Sequence, residues 1–285
     1  MCIDKQTLTD YKNNTSAFHP TLKNGINFKK SKFKTDKNGR CAFLNEKGLC
    51  EIIINLGEKS LCQVCRDHPR YRTFFNDRIE MGLGFSCEQA SSVILSFTEK
   101  IVPLLISEDG ENTSLDFNQQ NVIGFRNKAL DILQDRTTDI NDRIKHLLTL
   151  CNASFLVDDD KRIIKTFLSF ERLDKSWTSK LKMLKKKPLI KEISLAHSLY
   201  CEQFLVNSVY RHLYDAEDTM WVRAKTIACV ISWWIIQSIL AHSNPENSAQ
   251  FDLIVDTVRA FSSEVEYSKN NINKLHDFCY KFIKI

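Results

Sequence analysis

The chain has 285 residues, with 40 Lys and Arg against 35 Asp and Glu, a net charge of +5 and 43% hydrophobic content. That length buries a real core in one large or two modest domains, and eight glycines with five prolines are too few for a turn-rich sandwich. The charge is mild and no nucleic-acid motif accompanies it, and ten cysteines behind a polar opening argue for reduced cytosolic thiols against a secreted disulfide framework.

Residues 1–100 carry the cysteine-bearing part. The opening TLTDYKN reads as the end of a short helix, followed by an irregular basic stretch, FKKSKFKTDKNGR, over residues 28–40. This run, like KLKMLKKK at 180–187, reads as solvated loop or helix ends; the other reading is an acidic partner, a protein surface, a nucleic acid or an anionic cofactor.

Five of the ten cysteines follow: Cys41, Cys50, Cys62, Cys65 and Cys87, interleaved with Gly48, Gly57, Pro69, Arg66 and Arg70. Thiols gathered at turn-rich positions suit a soft metal or an iron–sulfur cluster, because coordination replaces the core that a small loop-rich unit lacks. The Cys62-x-x-Cys65 pair alone fits a redox dithiol, half of a zinc site or part of a cluster site. A thioredoxin-type site needs an α/β unit that is missing here, and a structural zinc site needs a second close pair, whereas Cys41 and Cys50 are nine apart. Four spread-out thiols are compatible with a [4Fe–4S] cluster, with zinc as the alternative. Cys62 follows Leu61 on what would be a helix face and need not belong to the set. Buried free thiols are the remaining reading.

Further on, YRTFFNDRIEMGLGF at 71–85 predicts a β-hairpin turning at Asn76-Asp77. Ser86 and Gln89 match a capping box for a helix running through Val93, Ile94, Phe97 and Ile101, with Cys87 in its first turn. The polar stretch SEDGENTSLDFNQQ at 107–120 reads as a linker. Beyond it, Ile140, Ile144, Leu147, Leu148 and Cys151 give one helical stripe, and Val206, Val209, Tyr210 and Leu213 another. The apolar run at 227–241 is short of the roughly 20 residues that span a bilayer, so it predicts a buried central helix and no membrane partner. Cys151, Cys201, Cys229, Cys279 and the pair Trp233-Trp234 read as core. Asn244-Pro245 breaks the chain before a last helical region near Phe251. The expectation is a mainly α protein: a helical bundle over 121–285, a linker at 107–120, and a small cysteine-rich N-terminal unit over 1–106 containing a short β-hairpin.

The order Cys41-Ala-Phe-Leu, Gly48-Leu49-Cys50, Leu56-Gly57, Cys65-Arg66-Asp67-His68-Pro69-Arg70 and Ser86-Cys87-Glu88-Gln89-Ala90 resembles the flagellin lysine-N-methylase family. The likeness extends loosely to Glu202-Gln203-Phe204-Leu205, Tyr210-Arg211, Glu266-Tyr267-Ser268 and Asn271. The resemblance implies transfer of methyl groups from S-adenosylmethionine to lysines of flagellin by a cytoplasmic enzyme associated with an iron–sulfur cluster. By position it makes Cys41, Cys50, Cys65 and Cys87 the candidate ligands, with Cys62 a fifth. It places Arg66 and Arg70 beside the cluster or near the donor's carboxylate; both could equally cap carbonyls or pair with surface acids. Family members carry a further cysteine group upstream, of which Cys2 would be the last remnant, so the chain looks N-terminally shortened and its cluster incomplete. Ser263 stands where the family pattern has a basic residue.

Lysine methylation requires the amine to be deprotonated from a pKa of about 10.4. Tyr210, Tyr267, Glu202 and Glu266 are the candidate bases; core packing and solvated faces are their ordinary alternatives. No glycine-rich strand–turn–helix marks a methyl-donor site, and Gly82-Leu83-Gly84 falls in the hairpin. His68 could add a nitrogen ligand or simply hydrogen-bond within its loop. A non-catalytic cluster or zinc scaffold and a helical interaction protein with structural thiols are the rival functions.

Overall fold

Apolar residues recurring at helical spacing form thirteen helices among the described residues, broken by two short antiparallel strand pairs. The computed structural model describes residues 2–36, 40–107, 113–153, 159–243 and 250–284. Its contacts divide the chain into two compact units, Met1–His68 and Pro69–Ile285.

In the first unit, helix α1 (Lys5–Lys12) starts where the Asp4 carboxylate accepts the Thr7 amide at 2.9 Å. Helix α2 (His19–Gly25) leads into a strand pair, β1 (Ile26–Asn27) and β2 (Lys32–Phe33). Helix α3 (Glu51–Leu56) ends at Gly57, whose φ of +83° favours glycine, and α4 (Gln63–Asp67) closes the unit. Phe43 is the centre of this small core, and its ring lies where a side chain at Gly25 would go, 2.4 Å from the position of a Cβ. Asp4 also accepts the Gln63 amide at 2.9 Å, so one carboxylate joins the starts of α1 and α4.

The second unit opens with the expected hairpin, β3 (Arg70–Phe74) against β4 (Ile79–Leu83), with Asn76 and Asp77 in its loop. Helix α5 (Glu88–Ser96) begins one residue later than the capping box implies. Cys87 is its extended N-cap, the Ser86 hydroxyl is buried without a partner, and Ser91 instead donates to the Phe85 carbonyl at 2.6 Å. The helix also stops short of Ile101, whose amide is taken at 2.6 Å by the Gln134 side chain two residues ahead of Pro103. Helix α5 packs on the bundle helices α10 (Ser198–His212) and α12 (Phe251–Phe261).

The bundle also contains α6 (Phe117–Leu133), α7 (Ile140–Leu150), α8 (Asp160–Leu168), α9 (Lys175–Leu184), α11 (Thr219–Ser243) and α13 (Lys269–Tyr280). Asp116, Asp139, Asp174 and Ser268 cap four of these helices through first-turn amides. The expected central helix is α11, apolar on every side and packed by α10, α12 and α13. It is long and apolar enough to cross a membrane, but 94% of its most apolar window is buried in the protein, as in a core helix. Cys151, Cys201, Cys279 and Trp233 are fully buried, with Cys229 and Trp234 nearly so. The Asn244-Pro245 break lies outside the described residues, as does the middle of the 107–120 stretch.

Candidate functional site

The first unit gathers four thiols. Cys50 is the N-cap of α3 and Cys62 that of α4, while Cys65 sits in the first turn of α4. Cys41 and Cys50 are held by isolated bridges to Thr35 and Leu44. The Cys65 thiol hydrogen-bonds to Cys62, which lowers the Cys62 pKa to about 7 against the opposing effect of burial, with amides of Cys65 and Val64 helping. The same bond, with burial, raises Cys65. Burial raises Cys41, and the nearby Cys50 and Cys62 add to it. Tyr11 is raised by burial and then by Cys62, Cys65 and Cys50. Cys41, Cys50, Cys62 and Cys65 therefore stand within electrostatic reach of one another around Tyr11.

Cys62, the thiol that its neighbour Leu61 set apart in the sequence, is in the middle of this group and fully buried. Cys87 belongs to the second unit, half-buried at the start of α5. Arg66 lies on α4, 3.2 Å from Gln63 Oε1, and Arg70 begins β3 in the second unit. His68 is the C-cap of α4, and burial lowers its pKa. No three His, Cys, Asp or Glu side chains among the described residues are arranged to hold a single metal ion.

A second polar centre lies in the bundle. Helix α12 widens at its end into a π-helical turn, Ser262–Glu266, a feature common at functional sites. The turn aims Glu266 inward, where Oε2 meets Arg211 Nη1 at 2.8 Å and a donated bond from Ser262, while Oε1 meets His212 Nε2 at 3.0 Å. Burial alone would raise the Glu266 pKa; the Arg211 charge and these hydrogen bonds bring it to about 2 instead. Glu266 is thus an ionised acceptor with its oxygens occupied, not a base. The Arg211 guanidinium is stacked between the rings of Tyr267 and Tyr71, 4.7 and 5.8 Å from their centroids. Tyr267 in turn lies against Gly84, where a Cβ would come within 2.7 Å of its hydroxyl.

The other candidates are tied down. Glu202 is 2% exposed and bridges Arg136 and Arg143, each at 2.8 Å, which makes it a structural anchor. Tyr210 lies under Arg126, and burial raises its pKa. Sequence reading missed His212 and His276, whose rings meet edge to face at 6.2 Å. The available signal was spacing, since Ser208 and His212, like Ile272 and His276, are four apart and share a helix face.

No curated protein and no solved structure matches the chain. Residues 188–284 match the family model of the FliB lysine N-methylase C-terminal domain. That span runs from before α10 to the end of α13, so it contains Arg211, His212, Ser262, Glu266 and His276 but none of the thiols in the first unit. The match spans 97 of the 285 residues, so residues 188–284 resemble a FliB lysine N-methylase C-terminal domain.

Proposed function

We propose that the chain is a protein-lysine N-methyltransferase that acts on flagellin in the cytoplasm, takes its methyl group from S-adenosylmethionine and carries an iron–sulfur cluster. The observation that carries this reading is the family match over 188–284, which coincides with the buried Arg211–His212–Glu266 centre. Ionised groups arranged this way inside a helical bundle, at a π-helical turn, support the reading of this centre as the functional site.

The thiol donors suit a soft metal. Four soft ligands lie within electrostatic reach of one another, a donor set open to an iron–sulfur cluster, with zinc as the alternative. Cys41, Cys50, Cys62 and Cys65 would hold it, and Cys62 is already the most acidic of the thiols with a resolved shift. When bound, the cluster would supply structural tethering and redox-active iron to this unit. Arg66, next to Cys65, brings positive charge to it, and Arg70 offers a guanidinium to the donor's carboxylate.

In the reaction the lysine nitrogen attacks the donor's methyl carbon, the carbon–sulfur bond breaks with its electrons leaving on sulfur, and one proton is released from nitrogen. The chain's task is to bind the lysine, keep water from the sulfonium and accept that proton.

The test is incubation of anaerobically purified, iron-replete full chain with flagellin and methyl-labelled donor, followed by peptide mass spectrometry. Label on flagellin lysines is expected. Iron-replete protein that transfers none would overturn the reading and favour a non-catalytic scaffold.

A further inference from the structure

Three helices of the bundle leave a cavity of about 10 Å³ beside Glu266, the size of one water molecule. Its walls come from residue pairs one helical turn apart: Ser208 and His212 on α10, Ala228 and Ser232 on α11, Ile272 and His276 on α13. Small side chains at Ser208, Ala228 and Ser232 make the space. The Ser208 hydroxyl, on a residue 2% exposed, has no hydrogen-bond partner, and a buried hydroxyl left so is costly. His276, 7% exposed, supplies an imidazole on the same wall. The unpartnered Ser208 hydroxyl and the two imidazoles are the groups on these walls that an ordered water would bond.

We propose that His212, oriented by Glu266, accepts the proton released by the substrate lysine through a single water bound in this cavity. The proposal rests on the methyltransferase reading above and names the proton's route within it. Breaking the ammonium N–H bond leaves its electron pair on nitrogen for attack on the methyl carbon. The proton passes to the water, and a water proton moves to the imidazole lone pair.

The geometry selects His212 from the charged and titratable groups around it. Glu266 accepts from Nε2, which fixes the tautomer and leaves Nδ1 as the acceptor, and its charge stabilises the imidazolium that forms. Arg211 on the same helix already compensates Glu266, so His212 can rest neutral. Burial, Arg211 and Lys225 of α11 push the His212 pKa down, and the bond to Glu266 pushes it up. Lys225 is itself paired with Asp215. Cys229 of α11 has a pKa raised by burial, and His276 of α13 is held neutral by burial, so neither thiolate nor second cation opposes the transfer. Glu202 is closed off by two arginines.

Three measurements decide it. Imidazole nitrogen NMR of the intact protein at pH 7 should show His212 neutral with the proton on Nε2, and a crystal structure should show one water among Ser208, His212 and His276. His212→Gln, which keeps an N–H donor for Glu266, should lower kcat on the order of 100-fold and remove the acid limb of wild-type kcat, which lies on the acid side of the ordinary imidazole range. Ser208→Ala, a milder change, should lose the water and lower kcat while leaving KM unchanged. A cationic His212 at pH 7, a dry cavity, or a His212→Gln variant with wild-type rate and pH profile would overturn the relay while leaving methyl transfer standing. A wild-type chain that transfers no methyl group overturns the methyltransferase reading instead.

Discussion

Glu202 and Glu266 are equally buried carboxylates whose partners set different roles. Glu202 is bracketed by two guanidiniums that exhaust its acceptors, whereas Glu266 divides its oxygens between one cation, one hydroxyl and an imidazole that can still accept a proton. Three titratable groups here, Glu266, His212 and His276, make stability depend on acid. Glu266 has a folded pKa of about 2 against an ordinary 4.5. Its contribution is complete above pH 4.5 and lost as pH falls toward 2, about 3 kcal/mol in all. His276 is held well below 6.5 by burial, so the unfolded chain binds a proton that the folded one refuses, and stability begins to fall once pH drops below about 6.5. Urea titrations across pH 7 to 3 should show loss in two stages. His276→Asn should shrink the first stage, which His212 shares, and Glu266→Gln should flatten the second while lowering stability at pH 7. A wild-type protein equally stable at pH 7 and 5 would refute the assignment for His276.

Elements that bury one contiguous face were legible in the sequence: α7, α10, α11 and the β3–β4 hairpin all follow from apolar period and turn residues. Helix ends were not, because competing hydrogen bonds decide them. Helix α5 ends at Ser96, beyond which Gln134 holds the Ile101 amide, and the Phe85 carbonyl draws the Ser91 hydroxyl beside the unused cap at Ser86. The same limitation applies to Cys62: a residue assigned to a helix face is the N-cap of α4, whose first amide, on Gln63, is held by Asp4 from 59 positions away. Packing of α2 on the first unit's core is similarly specific. A methyl at Gly25 would meet the ring of fully buried Phe43, which has no free volume to retreat into. Gly25→Ala should therefore destabilise the protein by about 1–3 kcal/mol. A thiol-reactivity assay should show Cys62 exposed at lower urea than in wild type. Unchanged Cys62 protection would mean that Phe43 moves without cost.

At the scale of the whole molecule, the two centres differ in how far sequence reading could reach. The thiols occur within a few dozen residues, so their chemistry was visible as a cluster motif before any fold was known. The bundle centre joins His212 to Glu266 across 54 positions, a contact that neither period nor local spacing encodes. The ligand set is where the resemblance and the fold assign different weight. The motif order emphasises Cys87, while the fold groups Cys62 with Cys41, Cys50 and Cys65 and places Cys87 at the start of α5 in the other unit. A thiol must lose its proton to bind iron, and the Cys65 hydrogen bond eases that loss at Cys62. After anaerobic reconstitution, Cys62→Ser should lose most of the iron and the visible absorption, with Cys87→Ser measured beside it. Far-UV circular dichroism would confirm that each variant remains helical. Should iron leave with Cys87 and stay with Cys62, the fourth ligand is Cys87 and the buried Cys62 thiol serves only to hydrogen-bond Cys65.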